Sequence, residues 1–113
     1  GVLVIDARAN DRFRGENETI DPIAGHIPGA KNRFFKTNLD DDGKFKSANT
    51  LKRSFLELID DGTDQQVVHQ CGSGVTACHN MLAMEVAGLK NSKLYPGSWS
   101  EWIADTTRPI STG

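Results

Sequence analysis

Two kinds of apolar spacing alternate along this chain. Val2-Leu3-Val4-Ile5 is an unbroken apolar run, and the stretch Gln66 to Gln70 holds a second around Val67-Val68. Short continuous runs of this kind suit strands covered on both faces of a parallel sheet. Leu51, Phe55, Leu58 and Ile59 instead recur at helical spacing behind a cap offered by Ser47-Ala48-Asn49-Thr50, and Asp60-Asp61-Gly62 ends the repeat. A second helix is predicted from Val75 to about Ala87, with Gly88 as its stop. Shorter strands are expected around Lys31 to Phe34 and at Lys93-Leu94-Tyr95, after which Pro96-Gly97 turns the chain into a short helix from Ser98 to Ile103. The stripe on the Leu51 helix is core. The whole predicts an α/β fold, in which ligands gather beyond the carboxyl ends of the strands, near Asp6, Arg8 and the loop that follows them.

With 113 residues and 37% hydrophobic content, the chain suits a single domain, 1–113, with one modest core. A net charge of −2 leaves no basic field for nucleic acid or for an anionic membrane surface. No apolar run is long enough to suggest a membrane span, and the N-terminus lacks the basic and apolar regions of a signal peptide. Two cysteines, Cys71 and Cys78, do not make a secreted disulfide framework and suit a cytoplasmic or mitochondrial-matrix setting. The chain opens almost directly in a strand and closes in a polar tail, Thr106 to Gly113, so an excised piece of a longer chain is expected.

Candidate chemistry centres on Val67-Val68-His69-Gln70-Cys71-Gly72-Ser73-Gly74-Val75-Thr76-Ala77, where a strand runs into a cysteine and a helix starts at once. A strand-to-turn-to-helix placement points main-chain N–H groups into one concavity at a helix N-terminus, where a thiolate is stabilised. Gly72 and Gly74 leave room for a substrate, and the Ser73 hydroxyl can donate to the thiolate or a leaving group. The plain alternative is a small buried cysteine on a glycine turn, since cysteine is among the most buried residue types. Two glycines and a hydroxyl crowded behind the thiol favour a nucleophile open to solvent at the mouth of the sheet. His69 points to the same side of its strand as Cys71, but two side chains on one strand seldom form a catalytic pair. Cys78 is most simply a small packing residue, with a resolving cysteine the sharper alternative. His69, Cys71, Cys78 and His79 lack any zinc-ligand spacing. Asp40-Asp41-Asp42-Gly43 lacks the downstream glutamate of a calcium loop and is expected to be a solvated turn.

Cys71-Gly72-Ser73-Gly74-Val75-Thr76 resembles the active-site loop of rhodanese-superfamily sulfurtransferases, in the version carried by 3-mercaptopyruvate sulfurtransferases. Gly25-His26-Ile27-Pro28-Gly29-Ala30 and Gly97-Ser98-Trp99-Ser100-Glu101-Trp102 are similar to two further landmarks of that family, so the resemblance covers nearly the whole chain. It implies a three-layer domain, a mostly parallel sheet flanked by helices on both faces, standing as the C-terminal catalytic half of a tandem protein. The N-terminal rhodanese-like half would supply an acidic partner to the site. It further implies a Cys71 persulfide, with Ser73 assisting and with Gly72, Gly74, Val75 and Thr76 lining the substrate loop. Asp6-Ala7-Arg8 and Arg12-Phe13-Arg14-Gly15 are similar to the family's arginine loop, and the match makes Arg12 the anchor for the donor's anionic end.

Arg8 more plausibly pairs with Asp6, Arg14 is a weaker candidate contact, and Trp99 either walls the pocket or packs in the core. A second substrate arginine found in many family members before Gly25 is missing from Asn17 to Ala24. His26 is accounted for by turn chemistry without a catalytic role. The neutral Gly72 and Ser73 replace the basic pair of thiosulfate-using relatives, which leans toward the monoanion mercaptopyruvate over the dianion thiosulfate. The partners implied are a small anionic sulfur donor and a thiol or cyanide acceptor, with no metal or organic cofactor. Two other functions stand beside this one. A non-catalytic persulfide-sensing or protein-binding module would keep the same fold, while a cysteine phosphatase would need an arginine at position 77, where the chain has Ala77.

Overall fold

The computed structural model describes residues 2–17, 23–59, 66–72, 76–89 and 92–112. Strand β1, Val2–Asp6, leads into a one-turn helix α1, Asn10–Phe13; strand β2, Lys31–Asn32, is followed by a 3-10 turn, Phe35–Asn38. Helix α2, Ala48–Leu58, strand β3, Gln66–Gln70, helix α3, Ala77–Val86, strand β4, Lys93–Leu94, and helix α4, Ser98–Ala104, complete the order. The strands form one sheet in the order β2-β1-β3-β4, every pair parallel. Among the described residues, no helix is long and apolar enough to cross a membrane.

Register decides which side chains meet. Leu3 pairs with Val67 and Ile5 with His69, so these share one face of the sheet, and Val4, Asp6, Val68 and Gln70 share the other. On the first face Leu3, Ile5 and Val67 pack with Leu51 and Phe55 of α2 and Ala83 and Met84 of α3. On the second, Phe13 of α1 clusters with Trp99 and Ile103 of α4, and Val4 lies against them. Helices thus cover both faces, as expected of the three-layer domain. The predicted α2 stripe holds: Leu51 and Phe55 are fully buried, and Leu58 and Ile59 lie at its margin.

Three segments differ from expectation. The loop after Arg8 contains α1, and the strand at Lys31 stops at Asn32, where Arg33 and Phe35 turn their main-chain N–H groups to Asp6 and Ala7 carbonyls at 2.8 and 3.1 Å. The polar tail does not trail into solvent. Ser111 and His26 exchange main-chain hydrogen bonds of 2.8 and 2.9 Å, and Trp102 Nε1 donates to Pro109 O at 2.8 Å. Apart from the Trp102–Pro109 bond, these partners lie far apart in sequence, which local spacing does not register.

Candidate active site

Cys71 follows the last residue of β3, at the carboxyl edge of the sheet, on the same face as His69 and Val67. Its neighbour Gly72 leads toward α3. Helix α4 fixes this junction from the far side. Ser98 Oγ accepts the Cys71 N–H at 3.0 Å and donates to Tyr95 O at 2.9 Å. Trp99 N donates to Cys71 O at 2.9 Å, while Ser100 N and Oγ both reach Gly72 O, at 2.9 and 2.8 Å. Both carbonyls therefore point at α4, and the trans peptide between them turns the Gly72 N–H the opposite way. Ser98 takes this place with φ at +51°, an uncommon conformation for a residue with a side chain.

The thiol itself is enclosed. Cys71 is 1% exposed, clustered with Ala7 and Ala77, with Phe35 and Leu94 against it. This corrects the expectation of a sulfur open to solvent. The side chain lies on the sheet face that the first turn of α3 covers, so the fold that presents it also roofs it. Ser73, Gly74 and Val75 lie outside the described residues; Thr76 is the cap position of α3 and makes no side-chain capping bond. Cys78 is exposed and not a packing residue. Ala77, Asn80, Ala83 and Met84 take the buried side of α3, and Cys78 falls on the other side with Leu82 and Val86 at intervals of one helical turn. Neither cysteine is in a disulfide.

The arginines separate clearly. Arg8 is buried and binds Asp6 through Nε, at 3.1 Å to each oxygen, and Nη2 at 2.7 Å, with a further Nη2 bond to Gly25 O at 2.7 Å. Gln70 Nε2 also donates to Asp6, and the Arg8 guanidinium lies 4.8 Å from the Trp99 ring centre. Arg8 is thus committed to holding the ends of β1 and β3 together and is removed as a candidate substrate contact. Arg14 is exposed and pairs with Glu16 at 3.0 Å. Arg12 is half-buried in α1, which rises from the carboxyl end of β1 beside the strand that delivers Cys71. Trp99 is fully buried, its Nε1 donating to Ile23 O at 2.9 Å, so it is core and not a pocket wall.

His26 has the structural role expected of it: Nδ1 donates to Phe13 O at 2.7 Å and the two rings stack at 3.8 Å. His69 is fully buried with neither ring nitrogen hydrogen-bonded, and burial pushes its pKa down to about 4. It is a neutral core histidine.

Sequence reasoning missed Ser98 and Ser100. Both lie in the Gly97 to Trp102 run, but nothing local says that this run meets Cys71; that follows only once β4 lies beside β3.

A family model for the rhodanese-like domain matches residues 1–105. The chain belongs to the rhodanese-like domain family. Over 113 residues, all of the chain, this rhodanese-like domain is 51% identical to a protein of Pseudomonas aeruginosa named a probable 3-mercaptopyruvate sulfurtransferase, covering 40% of that protein. It is 39% identical over 100 residues to the thiosulfate sulfurtransferase of Gallus gallus, matching 88% of the chain and 34% of the relative. Among solved structures it is similar to the 3-mercaptopyruvate sulfurtransferase of Leishmania major, with a TM-score of 0.79 at 34% identity, over 96% of the chain and 31% of the other. The chain spans about 40% or less of the length of these relatives, all of them sulfurtransferases by name.

Proposed function

We propose that this rhodanese-like domain transfers sulfur through a persulfide on Cys71 and that it works as the C-terminal half of a longer tandem protein, whose N-terminal rhodanese-like half adds an acidic group to the site. In the first step the Cys71 thiolate attacks the transferable sulfur of an anionic donor. A sulfur–sulfur bond forms to Cys71, the donor's bond to that sulfur breaks, and the electron pair leaves with pyruvate enolate or sulfite. In the second step a thiol or cyanide acceptor attacks the outer sulfur and the Cys71 thiolate departs. Arg12 holds the donor's anionic end by a charge-assisted hydrogen bond. With mercaptopyruvate, Ser73 passes the proton of the donor's thiol to the departing enolate. The neutral Gly72 and Ser73 favour mercaptopyruvate over thiosulfate; relatives of both names are similar to the chain.

The observation that carries this reading is the junction itself: a cysteine between β3 and α3 with the carbonyls of Cys71 and Gly72 tied to α4 and the Gly72 N–H turned away from them. Donors on the inner side of such a turn stabilise the anionic sulfur. The burial of Cys71 favours a second reading, a non-catalytic persulfide-sensing or protein-binding module.

Mass spectrometry after exposure to 3-mercaptopyruvate or thiosulfate separates the two. Transfer predicts one added sulfur on Cys71, absent in Cys71→Ser, retained in Cys78→Ser, and discharged by cyanide as thiocyanate with repeated turnover. A chain that gains no sulfur, or gains it on Cys78, overturns the proposal. Sulfur that loads on Cys71 and stays there through the acceptor step supports the sensing module.

A further inference from the structure

Helix α1 is one turn long and has no side-chain cap at Ala9. So short a helix cannot hold itself, yet it carries Arg12. Beyond the packing of Phe13 against Trp99 and Ile103, its support comes from residues 108–112. After α4, Trp102 Nε1 donates to Pro109 O at 2.8 Å, and Arg108 lies over the Trp102 ring at 5.4 Å with Nη1 donating to Glu101 O at 3.1 Å. Ser111 then pairs antiparallel with His26, the histidine whose Nδ1 and ring hold Phe13, next to Arg12. Thr112 braces the other side. Gly15 donates its N–H to Arg12 O at 3.1 Å, and a Cβ on Gly15 would lie 2.8 Å from Thr112 Cγ2. A Cβ on Gly25 would lie 2.5 Å from Ser111 O. With φ at +86° and +118°, these two glycines keep open the seat that the tail occupies.

We propose that Arg108–Thr112 is a strap that positions Arg12, and that its docking against Gly15, Gly25 and His26 sets the affinity of the site for a small anion. The inference rests on Arg12 being the donor anchor of the preceding section. Because the strap leaves from α4, which also holds the Cys71 and Gly72 carbonyls, one C-terminal run joins the thiol's loop to the arginine's.

The test uses the Cys71→Ser form, in which no transfer can occur, titrated calorimetrically with pyruvate and with thiosulfate. Thr112→Gly removes the whole side chain whose methyl lies over Gly15, and Ser111→Pro removes the N–H that His26 O accepts. Each is expected to raise Kd about fivefold, part of what a charge-assisted hydrogen bond contributes. In an Arg12→Ala background, where Kd is already raised, Thr112→Gly is expected to add nothing. A merely structural role would lower the melting temperature and leave that coupling at zero. The strap is overturned if Thr112→Gly leaves Kd unchanged, if its effect is the same with and without Arg12, or if neither anion binds the Cys71→Ser form. Should Ser111→Pro fail to fold, Thr112→Gly decides alone. Since no step here needs sulfur transfer, absence of a persulfide counts against the proposed function, and absence of coupling counts against the strap.

Discussion

Ser98 holds a backbone conformation that costs free energy, directly behind the amide of the candidate nucleophile. What offsets that cost is its hydroxyl, shared between Cys71 N and Tyr95 O. Ser98→Ala leaves the buried Cys71 N–H without an acceptor and is expected to cost about 1–3 kcal/mol, read from urea denaturation. Ser98→Gly loses the same hydroxyl but adopts φ +51° freely, so it is expected to be more stable than Ser98→Ala by up to about 1 kcal/mol. At Arg12 the expectation concerns binding: Arg12→Ala should raise KM for an anionic donor about tenfold or more, with kcat much less affected, by steady-state assay. The string from Cys71 to Thr76 was legible because its chemistry is contiguous, and the Asp6–Arg8 pair because its partners are two residues apart. Ser98 was not legible as a partner of Cys71, 27 positions away, and the enclosure of the thiol was not legible because its walls come from Ala7 beyond β1, from α3, from β4 and from the 3-10 turn.

Elements with turn or cap residues at their ends are legible in the sequence, and α1, which has none, is not. Helix α2 has both ends closed: Ser47 Oγ accepts from Thr50 N at 3.2 Å, and Lys31 Nζ donates to Leu58 O at 2.7 Å. Ser47→Ala is expected to cost about 1 kcal/mol, measurable as a lower urea midpoint. Helix α3 ends as its glycine predicted, with Gly88 N bonding Glu85 O at 3.0 Å and Leu89 N bonding Met84 O at 2.9 Å. Its start is pinned from outside, Asn38 Nδ2 donating to Asn80 Oδ1 at 2.7 Å and Asn80 Nδ2 to Arg33 O at 2.8 Å. By contrast α1 is held by the packing of Phe13 against α4 and by His26, and the tail by Trp102 and His26, so neither has a signal in its own spacing.

For the molecule as a whole, His69 ties stability to acidity. Burial lowers its pKa from 6.5 to about 4 in the folded chain. Between those values the unfolded chain binds a proton that the folded chain refuses, so stability rises with pH across the window and is lost as pH falls from about 6.5 toward 4. The full loss is about 3 kcal/mol. Urea denaturation at pH 7.0 and pH 4.5 should show most of it, and His69→Leu should flatten the dependence; an unchanged slope would mean that other groups govern it. The parallel pairing of the long strands followed from their apolar runs and the helices on both faces from the family resemblance, while the docking of residues 108–112 did not. The contrast between its two thiols has a practical outcome. A bulky maleimide should label Cys78 at once and leave Cys71 unmarked, whereas a small alkylating reagent should reach Cys71 slowly, at a rate set by how often the roof over it parts. Timing that second reaction would count the openings through which any reactant, natural or synthetic, must pass.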